Sequence, residues 1–496
     1  MSTSPKQGLW WRALLTIAVA ASGWFIPVPD GLTLNAWYLF SIFLGTVVGF
    51  ILQPIELGTI ALIALVACAL SGAMTFKQVL SAFSGNTVWL IVSAFLLARA
   101  FIITGLGRRI AYIAMRAFGD SSLKLAYSIS FSEMIIAPAI PSNSARAGGL
   151  IFPIVQSLAD AFGSDPEKSP RKIGAFLTTS VFQLDLVISA MFLTAMVGNP
   201  IAVELANRIL GIEITWMDWF IAASVPGIVC FLVIPYFIYK VYPPEIKHTP
   251  EAKQLADAEL AKMGPMKRGE KVLACVFVLL LGLWATASIT KLNATLIAFV
   301  GLCILLVCRV IKWSDVTGEK NAWNTLVWVG GVIVMSDYLN RLGFIPWFAK
   351  ILENQMVGVG MMAAVALSFI IYLYSHYFFA SMSAHVTSMY AALITLGAAA
   401  GAPPLRLGFR RRHGIEHLRL PDALRHGPGS CLLRCRLRPA ENLVAARLRH
   451  LPDPRRRLAR HRRRLVGIPR LLVIPPSYGK RQKKSRGRQQ PGGFRF

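Results

Sequence analysis

A short polar run within an apolar part of the chain combines groups that bind carboxylates. It contains Ser142, Asn143 and Ser144 and, two residues later, Arg146. Hydroxyl and amide groups donate hydrogen bonds, and a guanidinium adds a positive charge and a planar set of donors that matches a carboxylate. Two prolines precede the run and two glycines follow it, so we expect the chain to turn here. The run therefore predicts a turn that presents donors to an anion.

A second polar run interrupts a later apolar segment in the same way. It contains Ser381, Ser383, Thr387 and His385, which, like Arg146, stands four positions after the first serine of its run. If both runs form the tips of hairpins, two basic groups approach one central cavity from opposite sides. The alternative is that the serines satisfy helix backbone and that Arg146 extends to the membrane surface.

Neither run has the pattern of an enzyme or a metal centre. His376 and His385 are nine residues apart and have no acidic neighbour, whereas metal sites combine closely spaced His, Cys and carboxylate ligands. The cysteines of the apolar region also lack paired ligand spacing. We therefore expect no metal, no cofactor and no enzymatic activity.

Both runs lie among apolar segments long enough to cross a membrane. Hydrophobic residues make up 55% of the 496 residues and charged residues only 15%, against about a quarter in soluble proteins, so a soluble multidomain enzyme is excluded. A helix needs about 20 residues to cross the bilayer core. The predicted spans are 11–28, 36–53, 55–74, 87–105, 173–197, 216–239, 271–289, 293–311, 322–340 and 357–379.

Two further apolar pieces, 123–141 and 145–161, are too close together to be separate spans. We expect them to form a re-entrant hairpin with the first polar run at its tip. Tryptophans at the span ends predict an aromatic belt at the membrane surface. They are Trp10, Trp11, Trp37, Trp216 and Trp219.

The two halves of the apolar region resemble each other. In each, an Asn-Thr pair opens a span that is followed by a Leu-Gly pair (residues 106–107 and 342–343), an amphipathic stretch and one of the polar runs. Chance similarity between hydrophobic helices is the alternative, but four features in the same order favour a repeat. Broken apolar segments at matching positions of two repeats are typical of a transporter's central site. The predicted domains are 1–241 (N-terminal repeat with its leading spans), 242–271 (a polar, solvated linker), 272–405 (an incomplete C-terminal repeat) and 406–496 (a tail).

These motifs resemble the divalent anion:sodium symporter family, in particular its exchanger branch of plastid 2-oxoglutarate/malate translocators and bacterial citrate/succinate and tartrate/succinate antiporters. The first run with its paired glycines is similar to that branch's first hairpin tip, residues 376–385 to its second, and residues 194–200 to the unwound helix that faces the first tip. The resemblance covers roughly residues 10–405. Ser144 departs from the usual Thr and Met382 from the usual Asn, and the second change removes an amide donor.

The resemblance implies an all-α polytopic membrane protein with two inverted repeats, each containing a re-entrant hairpin and an unwound helix. It implies that di- or tricarboxylates bind between the tips and cross by an elevator-like movement. It also implies a homodimer, in contact with lipid, in a bacterial inner membrane. The substrate-binding residues that it implies are Ser142, Asn143, Ser144, Thr194, Asn199, Pro200, Ser381, Ser383 and Thr387.

Fixed positive charge is expected to replace the sodium ions that the family's symporters place beside both tips. Arg146 and His385 are the residues that supply it. A fixed charge makes the empty site costly to move through hydrocarbon, so the return step needs another anion and sodium-free exchange follows. Sodium-coupled dicarboxylate symport is the alternative. Glu133 and Asp185 are expected to pair with cations within the scaffold and to have no role in binding.

A change of composition near residue 405 separates the membrane region from a basic tail. Residues 406–496 hold 23 Arg and 3 Lys against four acidic residues, a net charge of +22, whereas residues 1–405 carry +6. Synonymous codons for residues 418–434, read one base later, spell FGSLTHYGTAPAPVYFG, which resembles the family's second unwound segment. In the same frame, residues 439–448 permit PLKTWWRLGF, which resembles its final span.

We therefore interpret residues 406–496 as disordered, out-of-frame sequence after a net gain of one base or a loss of two. This interpretation leaves the second repeat incomplete and predicts impaired transport. The competing interpretation is a genuine basic tail that binds anionic lipid or RNA. We expect no nucleic-acid partner, because the basic character is confined to this tail.

Overall fold

Helices form all the regular structure in the part of the chain that the computed structural model describes, which is residues 9–355, 361–379 and 381–399. Within these ranges, extended backbone pairs only at an isolated antiparallel bridge between Ser121 and His248. The predicted all-α fold class is confirmed. The predicted tail, residues 406–496, lies outside the described residues.

The first half of the chain contains the first polar run and its surroundings. Its helices are α1 (Leu9–Ala21), α2 (Leu34–Leu52), α3 (Leu57–Leu70), α4 (Phe76–Leu80), α5 (Asn86–Thr104), α6 (Leu106–Phe118), α7 (Ser122–Ile136), α8 (Asn143–Arg146), α9 (Phe152–Ala161), α10 (Gly174–Met191), α11 (Gly198–Leu210) and α12 (Trp216–Val241). Side chains cap several of them, as expected for helix N-termini. At α12, Thr215 and Asp218 form a reciprocal capping box.

The second half contains the second polar run. Its helices are α13 (Pro250–Met263), α14 (Arg268–Ala285), α15 (Ala287–Thr290), α16 (Ala294–Val307), α17 (Trp313–Thr317), α18 (Lys320–Arg341), α19 (Phe344–Gln355), α20 (Met361–Ser375) and α21 (Met382–Ala399).

Several of these helices have the length and surface of membrane spans. Among the described residues, α2, residues 76–104, α10 and α12 are long and apolar enough to cross a bilayer. Helix α12 runs for 26 residues, and only 28% of its most apolar window is buried, so most of that window faces outward. An exposed face of Val and Leu side chains suits lipid and would be costly in water. The predicted membrane class is confirmed, although α3 and α16, at 14 residues each or about 21 Å, are shorter than the predicted spans.

The two polar runs lie beside different buried cores, and Met382 of the second run also packs against the first core. One apolar cluster joins α6, α7, α9, α10, α12, α14 and α16 around the first run. The other joins α2, α3, α11, α18 and α21 and contains Val386, beside the second run. Helix α11 is the element that brings them together, because it follows the first run's partner helix α10 in sequence and packs against α21.

Both repeats turn at a glycine before their amphipathic helix. Helix α5 ends at Gly105, with φ of 76°, and α18 is followed by Gly343, with φ of 85°, a backbone region that favours glycine. The sequence pairing of Gly107 with Gly343 was therefore wrong by two positions, since Gly107 lies inside α6. With Gly105 as the equivalent, 37 residues lead to Ser142 and 38 lead from Gly343 to Ser381. Long helix, amphipathic helix and interrupted apolar segment follow in the same order in both halves, as the predicted repeat requires.

The interval 242–271 is a structured segment, which corrects the prediction of a solvated linker. Its helix α13 packs on α6 and buries Ala252 and Ala256 completely. These alanines stand four positions apart and so share one helix face. The high content of Lys and Glu on the other faces concealed this short apolar stripe.

Hydrogen bonds fasten both ends of this segment to the N-terminal repeat. Thr249 N donates to Asp120 O (3.1 Å), and Lys124 Nζ bonds the Asp120 carboxylate at 3.0 Å, which lowers the pKa of that carboxyl. At the other end, Arg109 of α6 binds Glu270 through Nε (2.6 Å) and Nη2 (3.3 Å). Both side chains are buried.

Candidate functional site

The first polar run forms the tip of a hairpin, as predicted. Helix α7 ends at Ile136, a 3₁₀ turn covers Ala137–Ala139, and extended backbone leads to Ser142. The Ser142 hydroxyl then caps α8 by accepting from Ala145 N (3.2 Å). Ser144 is exposed, and Ser142 and Asn143 are half-buried. The tip therefore presents partly exposed polar groups at the start of α8.

A π-helical turn, Ala147–Ile151, links α8 to α9. It contains the paired glycines Gly148 and Gly149, both exposed. A Cβ atom placed on either one would have no described heavy atom within 4 Å, so close internal packing does not explain these glycines. Such π turns inside helices are common at functional sites.

The partner of this hairpin is a broken helix. Helix α10 ends at Met191, a 3₁₀ turn covers Leu193–Ala195, and α11 begins at Gly198. Val197 N donates to Pro141 O (3.1 Å), so the break lies directly against the hairpin tip. The predicted span 173–197 was too long at its end, because hydropathy does not distinguish the apolar break from a helix.

The side chain of Asn199 stabilises the break between α10 and α11. Its Nδ2 donates to Ser189 O (2.8 Å), a carbonyl that the end of α10 leaves without a helical partner, and to Phe192 O (2.9 Å), which also accepts from Ala195 N. Asn199 is buried, and both amide hydrogens are used. The structure therefore gives its amide nitrogen a positioning role rather than a direct contact with substrate. Pro200 follows in the first turn of α11, where its missing N–H costs nothing.

Two tryptophans at the start of α12 donate hydrogen bonds to the end of α10 and to the break that follows it. Trp216 Nε1 donates to Thr194 Oγ1 (3.3 Å) and Trp219 Nε1 to Ala190 O (3.0 Å). Both indoles are buried, so their prediction as belt residues at the membrane surface was wrong. Thr194 is itself 1% exposed. Its placement facing the first tip agrees with the sequence, but its hydroxyl is buried in this conformation.

Arg146 lies at the centre of the hairpin and is fully buried. Nη1 donates to Ile140 O (2.6 Å) and to Ala195 O (2.5 Å), which belong to the tip and to the break. Nε donates to Glu133 Oε1 (3.3 Å). Nη2 donates to Asp185 Oδ1 (3.1 Å) and to the Ser189 hydroxyl. These bonds match the five N–H donors of a guanidinium.

The expectation that Arg146 faces an open cavity is therefore corrected. Its donors are saturated by protein groups, so it holds the tip to the break and does not present a free guanidinium to a ligand. The sequence prediction that Glu133 and Asp185 pair with cations is confirmed for both. What sequence reasoning missed is that they share one cation.

The second polar run is also a break between helices. Helix α20 ends at Ser375, a 3₁₀ turn covers His376–Phe378, and α21 begins at Met382. The Ser381 hydroxyl accepts from Ala384 N (3.4 Å), as Ser142 does in the first hairpin. Ser383 is half-buried, and its carbonyl accepts from Thr387 Oγ1 (2.7 Å).

His385 is buried and does not face an open cavity, which corrects that expectation. Its Nε2 lies 2.9 Å from Ser375 Oγ. The rings of Tyr372 (centroid distance 4.4 Å) and Phe379 (5.0 Å) pack against it. Thr387 is also buried.

The broken helix joins the two hairpins. A Cβ atom on Gly198, at the start of α11, would lie 3.2 Å from Val386 Cγ2 of α21. The first tip, the break and the start of α21 therefore meet around residues 194–198. Arg146 and His385 have no hydrogen-bond partner in common among the described contacts, so the structure places them in separate clusters.

Replacing Asn199 with alanine should lower the unfolding free energy by about 2 kcal/mol, because Ser189 O loses its donor and Phe192 O keeps only the bond from Ala195 N. The measurement is the thermal unfolding midpoint of the detergent-purified protein. Asn207→Ala is the matched control, since Asn207 is exposed on the same helix and should change stability by less than about 0.5 kcal/mol. Equal effects of the two substitutions would show that Asn199 does not hold the break.

Comparisons with known proteins agree on one family. A family model described as the sodium:sulfate symporter transmembrane region matches residues 7–410. The putative malate transporter YflS of Bacillus subtilis is 47% identical over 393 residues, which cover 79% of this chain and 82% of that protein. The chloroplast dicarboxylate transporter 1 of Spinacia oleracea is 45% identical over 404 residues (81% and 71%). The citrate/succinate antiporter of Escherichia coli is 34% identical over 406 residues (78% and 83%).

Proposed function

Because this chain belongs to the sodium:sulfate symporter family, we propose that it exchanges small di- and tricarboxylates across a membrane. The observation that carries the proposal is the partly exposed tip Ser142–Ser144 held against a broken helix, which the proposal places within the membrane. Unpaired backbone is tolerated there only within protein or beside a cavity, and such breaks form the substrate sites of secondary transporters. Relatives named as malate and dicarboxylate transporters and as a citrate/succinate antiporter support the substrate class.

The substrate carboxylates are bound by side chains from the two tips. Ser142, Asn143 and Ser144 donate from the first tip, and Ser381 and Ser383 donate from the second. Thr194, Asn199, Pro200 and Thr387 shape the break and the start of α21 behind them. Hydroxyl and amide donors bind a carboxylate without adding a fixed charge next to it.

Exchange without sodium follows from the position of Arg146. Its Nη1 draws together one carbonyl of the tip and one of the break, a task that a bound monovalent cation can also perform. A covalently attached cation is present in every state of the protein, so no sodium gradient drives the cycle. His385 takes the corresponding place in the second hairpin, where it lies beside Ser375.

The proposal includes an elevator-like movement of the hairpins with their broken helix. The outward-facing apolar surface of α12 contacts lipid. The protein acts as a homodimer, as the family resemblance implies.

Counterflow in proteoliposomes tests the proposed function. The protein used has its reading frame restored by removal of one base near codon 405. Vesicles loaded with unlabelled malate should take up labelled malate in sodium-free buffer, and empty vesicles should not. Uptake that requires sodium and no internal anion would instead establish symport, and an absence of uptake with malate, succinate, citrate and 2-oxoglutarate would overturn the substrate class.

A further inference from the structure

Two carboxylates share one edge of the Arg146 guanidinium. Nε binds Glu133 (3.3 Å) and Nη2, on the same edge, binds Asp185 (3.1 Å). In an ordinary bidentate pair, the two oxygens of a single carboxylate occupy these two positions. Oxygens of two different carboxylates are therefore brought side by side.

The same protein contains the ordinary arrangement for comparison. Arg109 binds Glu270 through Nε and Nη2, using both oxygens of one carboxylate. That buried pair has one positive and one negative charge. The Arg146 cluster has one positive charge and two groups that can each be negative.

Burial makes this difference in charge costly. Arg146 and Glu133 are 0% exposed and Asp185 is 2% exposed. With both carboxylates ionised the cluster carries a net charge of −1 inside the membrane region, where an uncompensated charge is strongly unfavourable. Glu133 Oε2 has no hydrogen-bond partner among the described residues, so no donor there compensates that charge.

We propose that Glu133 and Asp185 bind one proton between them, which makes the Arg146 cluster electrically neutral. The ionisable groups that act on Glu133 are Arg146, from α8, and Asp185, from α10. Helices α6 and α12 also pack against α7, but no ionisable group on the described parts of either helix acts on this carboxyl. The site is therefore a proton site at the base of the first hairpin.

The proton site does not depend on the proposed exchange. Its consequence for transport does rest on that exchange. Loss of the proton would leave a negative charge beneath a tip that binds anions. Exchange should therefore fall at alkaline pH, where the proton dissociates.

Infrared spectroscopy of the purified full-length chain in detergent tests the proton directly. At neutral pH the wild-type protein should show the carbonyl stretch of a protonated, buried carboxyl group. Glu133→Gln and Asp185→Asn should each abolish this band, because the remaining carboxylate then pairs one-to-one with Arg146. Glu270→Gln is the matched control and should leave the band unchanged.

A band that is missing from the wild type, or that persists in either variant, would overturn the proposal. Should Glu133→Gln fail to fold, Glu133→Asp keeps the proton and should shift the band, and an unshifted band would overturn it equally. The measurement does not depend on transport. A protein with the band but without counterflow would refute the proposed function and leave the proton site in place.

Discussion

Replacing Arg146 with alanine should destabilise the protein by about 3–5 kcal/mol, the usual cost of removing one partner from a buried ion pair. The substitution removes five hydrogen bonds at once. It leaves Glu133 and Asp185 buried without their cation, and it separates the tip from the break because Ile140 O and Ala195 O lose their shared donor. Exchange should be lost together with the folded hairpin.

The thermal unfolding midpoint in detergent measures this effect. Arg116→Ala is the matched control, because Arg116 is exposed and pairs only loosely with Asp257 at 3.8 Å. Exposed pairs of this kind contribute at most about 1 kcal/mol. An Arg146→Ala protein as stable as the control would show that the cluster does not hold the hairpin.

A triple variant distinguishes the stability lost through unpaired charges from the stability lost through altered packing. Adding Glu133→Gln and Asp185→Asn to Arg146→Ala removes the buried charges that the single variant leaves unpaired. Removing all members of a buried ionic cluster is less costly than removing one, so the triple variant should recover part of the lost stability. A triple variant less stable than Arg146→Ala would show that the loss comes from packing alone.

The sequence predicted the elements of the site better than the contacts within it. The tip at Ser142 could be located because polar residues, prolines and glycines interrupt an apolar segment there, and the second run at Ser381 could be located because polar residues interrupt another. The end of α10 could not be located, since residues 192–197 are as apolar as the helix before them. Their departure from helix depends on Asn199, whose side chain binds the carbonyls of Ser189 and Phe192.

The sequence also could not show which distant segments pair with each other. Glu133 and Asp185 stand out in the sequence as carboxylates within apolar segments. Nothing in one sequence shows that α7 and α10 bring both to Arg146. Trp216 was assigned to the membrane surface from its position at a span end, whereas the fold directs its indole N–H to Thr194.

The second hairpin lacks, within the described residues, a partner like the one that the first hairpin has. In the first repeat, the break between α10 and α11 binds the tip through Val197 N and through the carbonyl of Ala195. In the second repeat, α21 packs against α11, α18 and α19, none of which follows it in the chain. We interpret the missing segment as the one that the shifted reading frame spells as FGSLTHYGTAPAPVYFG. The family match ends at residue 410, near the change in composition.

Restoring the reading frame should therefore convert an inactive chain into an exchanger. We expect the 496-residue chain to give no malate counterflow above that of protein-free vesicles, because in this interpretation the second hairpin lacks the unwound partner that the site needs in order to close. The chain made from the gene with one base removed near codon 405 should exchange malate.

An independent read of the genomic DNA across codons 395–430 then decides the origin of the shift. If the base is absent from the genome, the restored chain is the natural protein; if it is present, the gene is interrupted in this organism. Equal counterflow by both chains would show instead that the basic tail is genuine and that the second hairpin works without an unwound partner.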